Sequence, residues 1–304
     1  MLEGSFEKKV IMETILIATD FSSAARNATR YGFALSKALN AKVILFTAYQ
    51  LPSTHPESMV YLPANDLEKS SYQQLATEAE TFDSHATVAL ETQCRQGPVG
   101  DAIMSVAAEN KISYIVIGMK RTGKELRKYF GSTVTSLTKK SSIPLIVVPQ
   151  EAGYSVPKTI AFASDFNDET NIHILEPLKK IAVIFNSAVS VVRVIKKSMN
   201  EATERLMKSE KLDWFLACLN HSFEYLKDDN VAKALNNFVK EHAIDLVAVI
   251  PHEHSLTERI FNRSVTKDLI FHTHVPLLIL PEEVTGEQKV HEESSDSNHK
   301  KGVY

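Results

Sequence analysis

Short apolar, β-branched stretches alternate along the chain with longer stretches in which apolar residues recur at helical spacing. In the first half the short stretches are residues 13–20, 42–48, 87–95, 114–117 and 144–149. Stretch 87–95 alternates between apolar and polar residues, and the others are nearly continuous runs. Continuous runs of this length predict strands that are buried on both faces of a parallel sheet.

Helices are predicted between these strands. One begins at Ser22 or Ser23, which can cap it, and runs to about Leu39; a polar surface helix is predicted over residues 66–85. Further helices are predicted after residues 97–101 and from Gly131 onward. The order β-α-β-α-β-α-β-α-β is typical of a doubly wound parallel sheet with right-handed crossovers.

The second half of the chain repeats the first. Residues 157–168 match residues 13–23 in type, with Asp165 in the place of Asp20, and residues 274–281 repeat the pattern of the stretch that ends at Pro149. Between them the pattern predicts a helix to about Ile184, then a strand over 187–194, a helix over 200–219 and a fourth strand over 245–250, with residues 223–230 beginning the unit before that strand. Self-similarity over half the chain predicts a duplicated domain.

The predicted organisation has four parts. They are an N-terminal extension over residues 1–12, a first domain over 13–152, a second domain over 153–283 and a charged, disordered tail over 284–304. Stretches 144–149 and 276–281 end the two predicted sheets, and an apolar terminal strand is an edge that needs cover.

Composition narrows the class of protein. The formal net charge of −3 gives no bulk attraction to nucleic acid or to an acidic membrane. Two cysteines, Cys94 and Cys218, have no partner spacing for a disulfide framework or a cysteine zinc site. No run approaches the length of a transmembrane helix, and residues 1–12 lack the apolar core of a signal peptide. These features predict a cytoplasmic protein.

Candidate chemistry gathers at the carboxyl ends of the predicted strands, where ligands bind in such folds. Asp20 and Gly118 each fall at such an end, and Gly131, Ser132 and Thr133 open a helix. Glycines let the backbone approach an anion, and hydroxyls and N–H groups at a helix N-terminus bind phosphate. The basic residues between Lys120 and Lys128 add positive charge. The structural alternative is that Asp20 and Asp165 are only helix N-cap or strand-end residues and that the glycines serve turns and close packing.

The sequence gives less support to a metal site and to three common kinds of catalytic motif. Two histidine pairs, His252 with His254 and His272 with His274, have the spacing of metal ligands on one strand face, but no third ligand of suitable spacing accompanies them. The motifs H-E-x-x-H, G-x-S-x-G and G-x4-G-K-S/T are absent from the sequence, which argues against zinc protease, hydrolase-elbow and P-loop chemistry.

These motifs together resemble the universal stress protein family in its tandem, two-domain form. The resemblance covers residues 13–281 and depends on I-L-I-A-T-D-F-S at residues 15–22, G-P-V-G-D-A-I at 97–103, and a glycine followed after twelve residues by Gly-Ser-Thr. Nucleotide-binding members carry G-x2-G-x9-G-S or G-x2-G-x9-G-T. Gly118, Gly131 and Ser132 fit that motif, whereas Arg121 stands at its middle glycine and Gly123 lies two residues later.

The resemblance implies two tandem Rossmann-like domains of the adenine-nucleotide α-hydrolase-like kind, each a five-stranded parallel sheet flanked by helices. It also implies that the first domain binds ATP, with or without Mg²⁺. Ala18 and Asp20 would border the adenine and ribose, and the backbone of Ala48 would meet the adenine edge. The ribose and phosphates would lie against Ile117, Gly118, Gly131, Ser132 and Thr133. Arg121 would either block this path or pair with a phosphate.

The second domain departs from the family motif. Arg263 replaces the glycine that corresponds to Gly131, while Ser264 corresponds to Ser132, and no glycine occurs over residues 250–256. We therefore expect the second domain to have lost ATP binding and to serve a structural or interaction role. The resemblance further implies that the terminal strands of the two domains pair within the chain; a further homodimer is left open.

The favoured function is a stress-response protein that senses or holds an adenine nucleotide and presents a changed surface to an unknown protein partner. Nucleotide occupancy would order the loop between Gly118 and Gly131. Two alternatives remain: a slow ATPase or phosphotransferase, and a nucleotide-free interaction scaffold in which Arg121 and Arg263 close both pockets. The scaffold would not co-purify with nucleotide, and the enzyme would release phosphate over time.

Overall fold

A computed structural model describes residues 13–50, 64–120, 132–164, 171–195, 197, 209–251 and 274–281. The predicted extension 1–12 and tail 284–304 lie outside these ranges, as do Arg121, Gly123, Gly131, Asp165, Arg263 and Ser264.

The first half alternates strands and helices as the sequence pattern predicts. Its elements are β1 (Thr14–Ala18), α1 (Ser23–Leu39), β2 (Lys42–Tyr49), α2 (Ala64–Phe82), β3 (Leu90–Gln96), α3 (Val99–Glu109), β4 (Tyr114–Met119), α4 (Ser132–Lys140) and β5 (Leu145–Pro149). Helix α1 begins directly after Ser22, whose side chain accepts a hydrogen bond from the backbone N–H of Ala25.

The second half follows the same order of strands. Its elements are β6 (Thr159–Ala163), a 3₁₀ helix (Ile172–Leu175), α5 (Glu176–Phe185), β7 (Ala188–Ile195), α6 (Glu210–Leu216), β8 (Asn220–Lys227), α7 (Val231–Glu241), β9 (Leu246–Val249) and β10 (Leu277–Ile279). The predicted helix over residues 200–219 lies partly outside the described residues; its described part, α6, ends before β8 begins.

The ten strands of the described ranges form one sheet in the order β3-β2-β1-β4-β5-β10-β9-β6-β7-β8. Within each half every pairing is parallel. Each half contributes five strands, and the first strand of each half, β1 or β6, is the central one of its five. The halves meet at β5 and β10, which pair antiparallel with Leu278 opposite Ile146. The fold is therefore an α/β fold of two Rossmann-like halves, and the two apolar end strands cover each other.

The apolar core lies on both faces of this sheet. One face contains Ile146, Phe162 and Leu278 in a single cluster of buried side chains. The opposite face contains Val147 and Leu277 in a second cluster. Because each cluster includes residues of both halves, the core continues across the β5–β10 junction instead of ending at it.

The connection between the halves is held by side chains from both. The Asn27 amide donates to the carbonyls of Pro149 and Ala152, at 2.9 and 2.6 Å. The carboxylate of Asp245 accepts hydrogen bonds from the backbone N–H groups of Lys158 and Thr159, each at 2.9 Å. The residues between β5 and β6 therefore have fixed anchors, although the exact domain boundary stays a prediction.

Two strands differ from the sequence prediction for identifiable reasons. Strand β3 begins at Leu90 and not at Thr87, because the Asp83 carboxylate accepts the N–H groups of Thr87 and Val88 at 2.8 and 3.1 Å. Strand β8 pairs along its whole length with β7 at the sheet edge. Its polar and apolar residues alternate weakly, as expected of an edge strand, so only its second part stood out in the sequence.

None of the helices in the described ranges is long and apolar enough to cross a membrane.

The two cysteines differ in environment and give a first testable prediction. Cys94 on β3 is buried, and burial raises the pKa of its thiol, whereas Cys218 is exposed. Since the thiolate is the reactive form, we expect iodoacetamide to alkylate Cys218 in the native protein and Cys94 only after unfolding. Peptide mass spectrometry at increasing urea concentration checks this, and labelling of both thiols at equal rates without urea would contradict it.

Candidate functional site

The candidate site lies where the chain changes direction across the first five strands. From the central strand β1 the chain proceeds through β2 to β3 on one side, and β4 and β5 lie on the other. Strands β1 and β4 are adjacent and parallel, with Ala18 opposite Ile117. In open α/β sheets such a point, at the carboxyl ends of the strands, leaves a crevice between the loops that follow the two strands.

A cavity of about 290 Å³ occupies this crevice. Six of the nine residues that the sequence predicts for the site line it: Ala18, Asp20, Ala48, Ile117, Gly118 and Thr133. Arg121 and Gly131 lie outside the described residues. Ser132 begins α4, but its side chain lies outside what the structure describes. The volume is near the lower end, roughly 300 Å³, of ordinary small-molecule sites.

Asp20 lies at the mouth of the cavity in the loop between β1 and α1. Its Oδ1 accepts a hydrogen bond from the backbone N–H of Ser22 at 3.0 Å, which stabilises the turn into α1. Asp20 is therefore not the N-cap of α1, which is Ser22, but a residue after the strand end that stabilises the turn before the helix. A carboxylate has two oxygens with about four acceptor positions, so this bond leaves capacity for a ligand hydroxyl.

Ala48 contributes backbone to the site because β2 extends past the end of β1. The last paired residues of these two strands are Ala18 and Phe46, and the Thr19 N–H continues the pairing by donating to the Phe46 carbonyl at 2.8 Å. Alternate residues of a strand present their N–H and C=O groups to the same side. The backbone groups of Ala48 therefore face the crevice beyond the end of β1.

Gly118 is required by the close approach of α1 to β4. A Cβ atom at this position would lie 2.4 Å from the Ala24 carbonyl oxygen and 2.8 Å from Ala25 Cα. No side chain fits between this strand and the first turn of α1. The close-packing interpretation of Gly118 thus holds, and the same absence of a side chain keeps the floor of the cavity open.

The structure adds residues to the cavity wall that the predicted site does not include. The ones that set its chemistry are Thr19, Phe46, Val99, Met119, Lys120 and Val134. Most of these are apolar and form its inner wall, whereas Lys120 is exposed and carries positive charge. Thr19 adjoins Asp20, and Lys120 lies two residues after Gly118 at the start of the basic stretch noted in the sequence; these positions were the signal available.

The first turn of α4 brings a helix N-terminus to the cavity. Helix α4 begins at Ser132, and both Thr133 and Val134 line the cavity. Backbone N–H groups in a first helical turn lack partners within the helix, and the helix dipole favours negative charge there. With Lys120 nearby, this rim suits an anion, while the inner wall suits an apolar ring.

Residues 12–149 match the model of the universal stress protein family. The first half of this chain is a universal stress protein domain. The search of curated proteins gave no match.

Solved structures extend the likeness in fold to both halves. A universal stress protein from Archaeoglobus fulgidus DSM 4304 covers 89% of this chain and 98% of its own, with 17% identity and a TM-score of 0.69. A protein of unknown function from Pseudomonas aeruginosa PAO1 covers 95% and 98% respectively, with 12% identity and a TM-score of 0.58. At such identities the likeness establishes the fold and nothing about the ligand.

The remaining sites that the sequence predicts lie largely outside the described residues. His252, His254 and His272 lie outside the described residues, and only His274 of the histidine pairs lies within them. Across the residues that the structure does describe, no three His, Cys, Asp or Glu side chains are arranged to hold a metal ion. The expected loss of ATP binding in the second half depends on Arg263 and on the glycine-free residues 250–256, and it stays a prediction because Arg263 and residues 252–256 lie outside the described residues, as do Asp165 and Ser264.

Proposed function

We propose that the universal stress protein domain binds an adenine nucleotide, ATP with or without Mg²⁺, in the cavity between β1 and β4. One observation supports this most: three kinds of hydrogen-bonding group line a single cavity. They are the carboxylate of Asp20, the strand backbone at Ala48 and the helix N-terminus at Thr133. These groups match a ribose hydroxyl, an adenine edge and a phosphate in their hydrogen-bonding chemistry.

Each part of the cavity has a role in this proposal. Asp20 accepts a hydrogen bond from a ribose hydroxyl, and the backbone of Ala48 pairs with the adenine edge. Gly118 leaves room for the ribose. The N–H groups at the start of α4 bind the phosphates, and Lys120 adds charge that attracts them. Arg121, Gly131 and Ser132 belong to the same phosphate region by their position in the family motif.

Binding is a better proposal than hydrolysis. Of the described residues that line the cavity, Asp20 and Lys120 are the ones that carry charge. Hydrolysis would require a group that activates water beside the phosphates, whereas Asp20 stands at the ribose position and already holds the turn into α1. We therefore propose a regulatory protein of the cytoplasm in which nucleotide occupancy changes the surface offered to a protein partner. The second half serves structure or interaction.

Replacing Asp20 with alanine is expected to weaken ATP binding. The variant loses a charged hydrogen-bond acceptor for the ribose, and such a loss corresponds to about a tenfold or greater rise in Kd. Isothermal titration calorimetry of the purified protein with ATP and Mg²⁺ measures this directly. Asp229→Ala is a suitable control, because Asp229 is an exposed carboxylate in the second half.

The same titrations separate the alternatives. Binding by the parent that is unchanged in Asp20→Ala would refute the assigned role of Asp20. No binding by the parent, with binding gained in Arg121→Gly, would establish the nucleotide-free scaffold instead. Phosphate release from bound ATP, followed over hours, would establish the slow enzyme.

A further inference from the structure

A buried carboxyl group lies behind the cavity, outside its lining. Glu78 on α2 is 5% exposed and shares the inner face of that helix with Leu75 and Ala79, which are fully or almost fully buried. A polar group in such a place is costly unless hydrogen bonds satisfy it. Within the described part of the chain Glu78 forms no ion pair. An apolar residue would be the ordinary occupant of this position.

Two threonine hydroxyls satisfy this carboxyl group. Thr19 Oγ1 lies 3.0 and 3.2 Å from the two oxygens of Glu78, and Thr29 Oγ1 lies 2.6 Å from Oε1. Thr19 follows β1 and lines the cavity, whereas Thr29 lies on α1. Both threonines are buried, at 6% and 0% exposure. Glu78 therefore links α2 to the loop of the candidate site and, separately, to the helix that follows this loop.

Thr19 passes the link on to the loop that carries Asp20. Its Oγ1 accepts a hydrogen bond from the backbone N–H of Phe21 at 3.0 Å. Phe21 has a φ of 61°, a left-handed conformation that non-glycine residues adopt at a cost and that surrounding contacts must hold. Asp20 lies between these two residues, so its backbone direction is fixed by the hydrogen bonds on either side.

The Thr19 hydroxyl makes both hydrogen bonds only when its hydrogen points toward Glu78. A hydroxyl has one hydrogen to donate and two lone pairs to accept with. Donation to Glu78 turns the lone pairs of Thr19 toward Phe21 N–H. The Thr19 carbonyl is fixed as well, because it accepts from Thr47 Oγ1 at 2.8 Å. Without Glu78 the hydroxyl loses the acceptor that orients it.

We infer that Glu78 is a positioning residue, which through Thr19 holds the β1–α1 loop so that the Asp20 carboxylate is preset toward the cavity. Through the same bond, α2 is coupled to the ligand site. The inference rests on the proposed function for its effect on nucleotide affinity, but the ordering of the loop does not require a ligand. Preordering a binding loop lowers the entropy lost on binding.

The test compares variants that separate positioning from stability. Glu78→Met replaces the carboxyl with an apolar side chain of similar length, and it lowers stability to some extent because the buried Thr19 hydroxyl loses its acceptor. Glu78→Gln keeps an acceptor oxygen for Thr19. Thr29→Val is the matched control, because it removes the bond from Glu78 to α1, together with the hydroxyl's bond to the Ala25 carbonyl, and leaves the bond between Glu78 and Thr19.

The expected results are specific. Calorimetry should show ATP binding about tenfold weaker in Glu78→Met, and within about threefold of the parent in Glu78→Gln and Thr29→Val. Hydrogen exchange of the nucleotide-free protein, followed by mass spectrometry on peptides that contain Phe21 and Ser22, should be about tenfold faster in Glu78→Met only. Urea unfolding should place Glu78→Gln near the parent and show a similar, modest loss of stability in Glu78→Met and Thr29→Val, so that the differences in affinity and exchange between the last two report positioning.

Other outcomes of these measurements would overturn the inference or the proposed function. Parent-like affinity and parent-like loop exchange in Glu78→Met would overturn the inference, as would equal effects in Thr29→Val. If the parent binds no ATP, the proposed function fails, and the loop exchange alone decides the role of Glu78. If Glu78→Met does not fold, Glu78→Ala removes the same acceptor and keeps the bond from Phe21 N–H to Thr19 Oγ1, and unchanged exchange at Phe21 in that variant would overturn the inference.

Discussion

Replacing Gly118 with alanine is expected to destabilise the first half by about 3 kcal/mol, at the upper end of the cost of overpacking a core. The added Cβ would lie 2.4 Å from the oxygen and 2.6 Å from the carbon of the Ala24 carbonyl. Both are backbone atoms, so no side chain can rotate away to relieve the overlap. Either α1 or β4 has to move.

Neither element is free to move cheaply. Strand β4 is paired on both sides, with β1 and with β5, where Gly118 lies opposite Val148. The start of α1 is fixed by its Ser22 cap and by the loop that Thr19 holds. A shift of α1 would also move Ser22 and Ala25, which line the cavity. We therefore expect Gly118→Ala to lose ATP binding together with stability.

Gly153 supplies the matched control for this substitution. A Cβ at Gly153 meets no atom within 4 Å, and its backbone does not adopt the left-handed conformation. Gly153→Ala should therefore be neutral or stabilising by up to about 1 kcal/mol, because alanine restricts the unfolded chain. Urea unfolding of both variants, with alkylation of Cys94 as a reporter of the first half, measures the difference. Equal stability of the two variants would show that α1 does not approach β4 closely enough to exclude a Cβ atom at Gly118.

The sequence predicts the strands of this fold well where burial is two-sided. Strands such as β1, β2, β4 and β5 are continuous apolar runs, since a parallel sheet covered by helices leaves no polar face. The prediction is weaker where local side chains intervene. Asp83 delays the start of β3 by capping residues before it. Pro177, at the start of α5, marks where the 3₁₀ helix gives way to α-helix.

The position of the candidate site could be predicted from the sequence, but the hydrogen bonds that hold its loop could not. Asp20 and Gly118 fall at strand ends, and the repeat and family motif single them out along the chain. Glu78 is 59 residues from Thr19 and 49 from Thr29, so no local pattern links these three side chains. The sequence of α2 is polar with few apolar positions, so it does not distinguish the buried Glu78 from a solvent-exposed glutamate.

Replacing Leu278 with alanine is expected to cost about 2–5 kcal/mol, the range measured for buried large-to-small changes. Leu278 is 0% exposed and lies on β10 opposite Ile146 of β5. Strand β10 has three residues, so the two halves are joined in the sheet by a short antiparallel pair. A cavity at its centre removes contacts from both halves.

The effect of this change should extend beyond the second half. Leu278 belongs to a buried cluster that also contains Ile146 from the first half and Phe162 from the second. Opening of the second half would remove the partner of β5 and expose an apolar sheet edge, which is unfavourable in water. We therefore expect Leu278→Ala to lower the urea concentration at which Cys94, in the first half, becomes reactive.

Val183→Ala is the control for Leu278→Ala, because Val183 lies on α5 and is 55% exposed. Its loss should change the free energy of unfolding by no more than about 0.5 kcal/mol. Circular dichroism reports unfolding of the whole chain and Cys94 alkylation reports the first half, so the two should shift together in Leu278→Ala. A shift in circular dichroism with Cys94 protection unchanged would mean that the halves unfold independently and that the β5–β10 pair does not couple them.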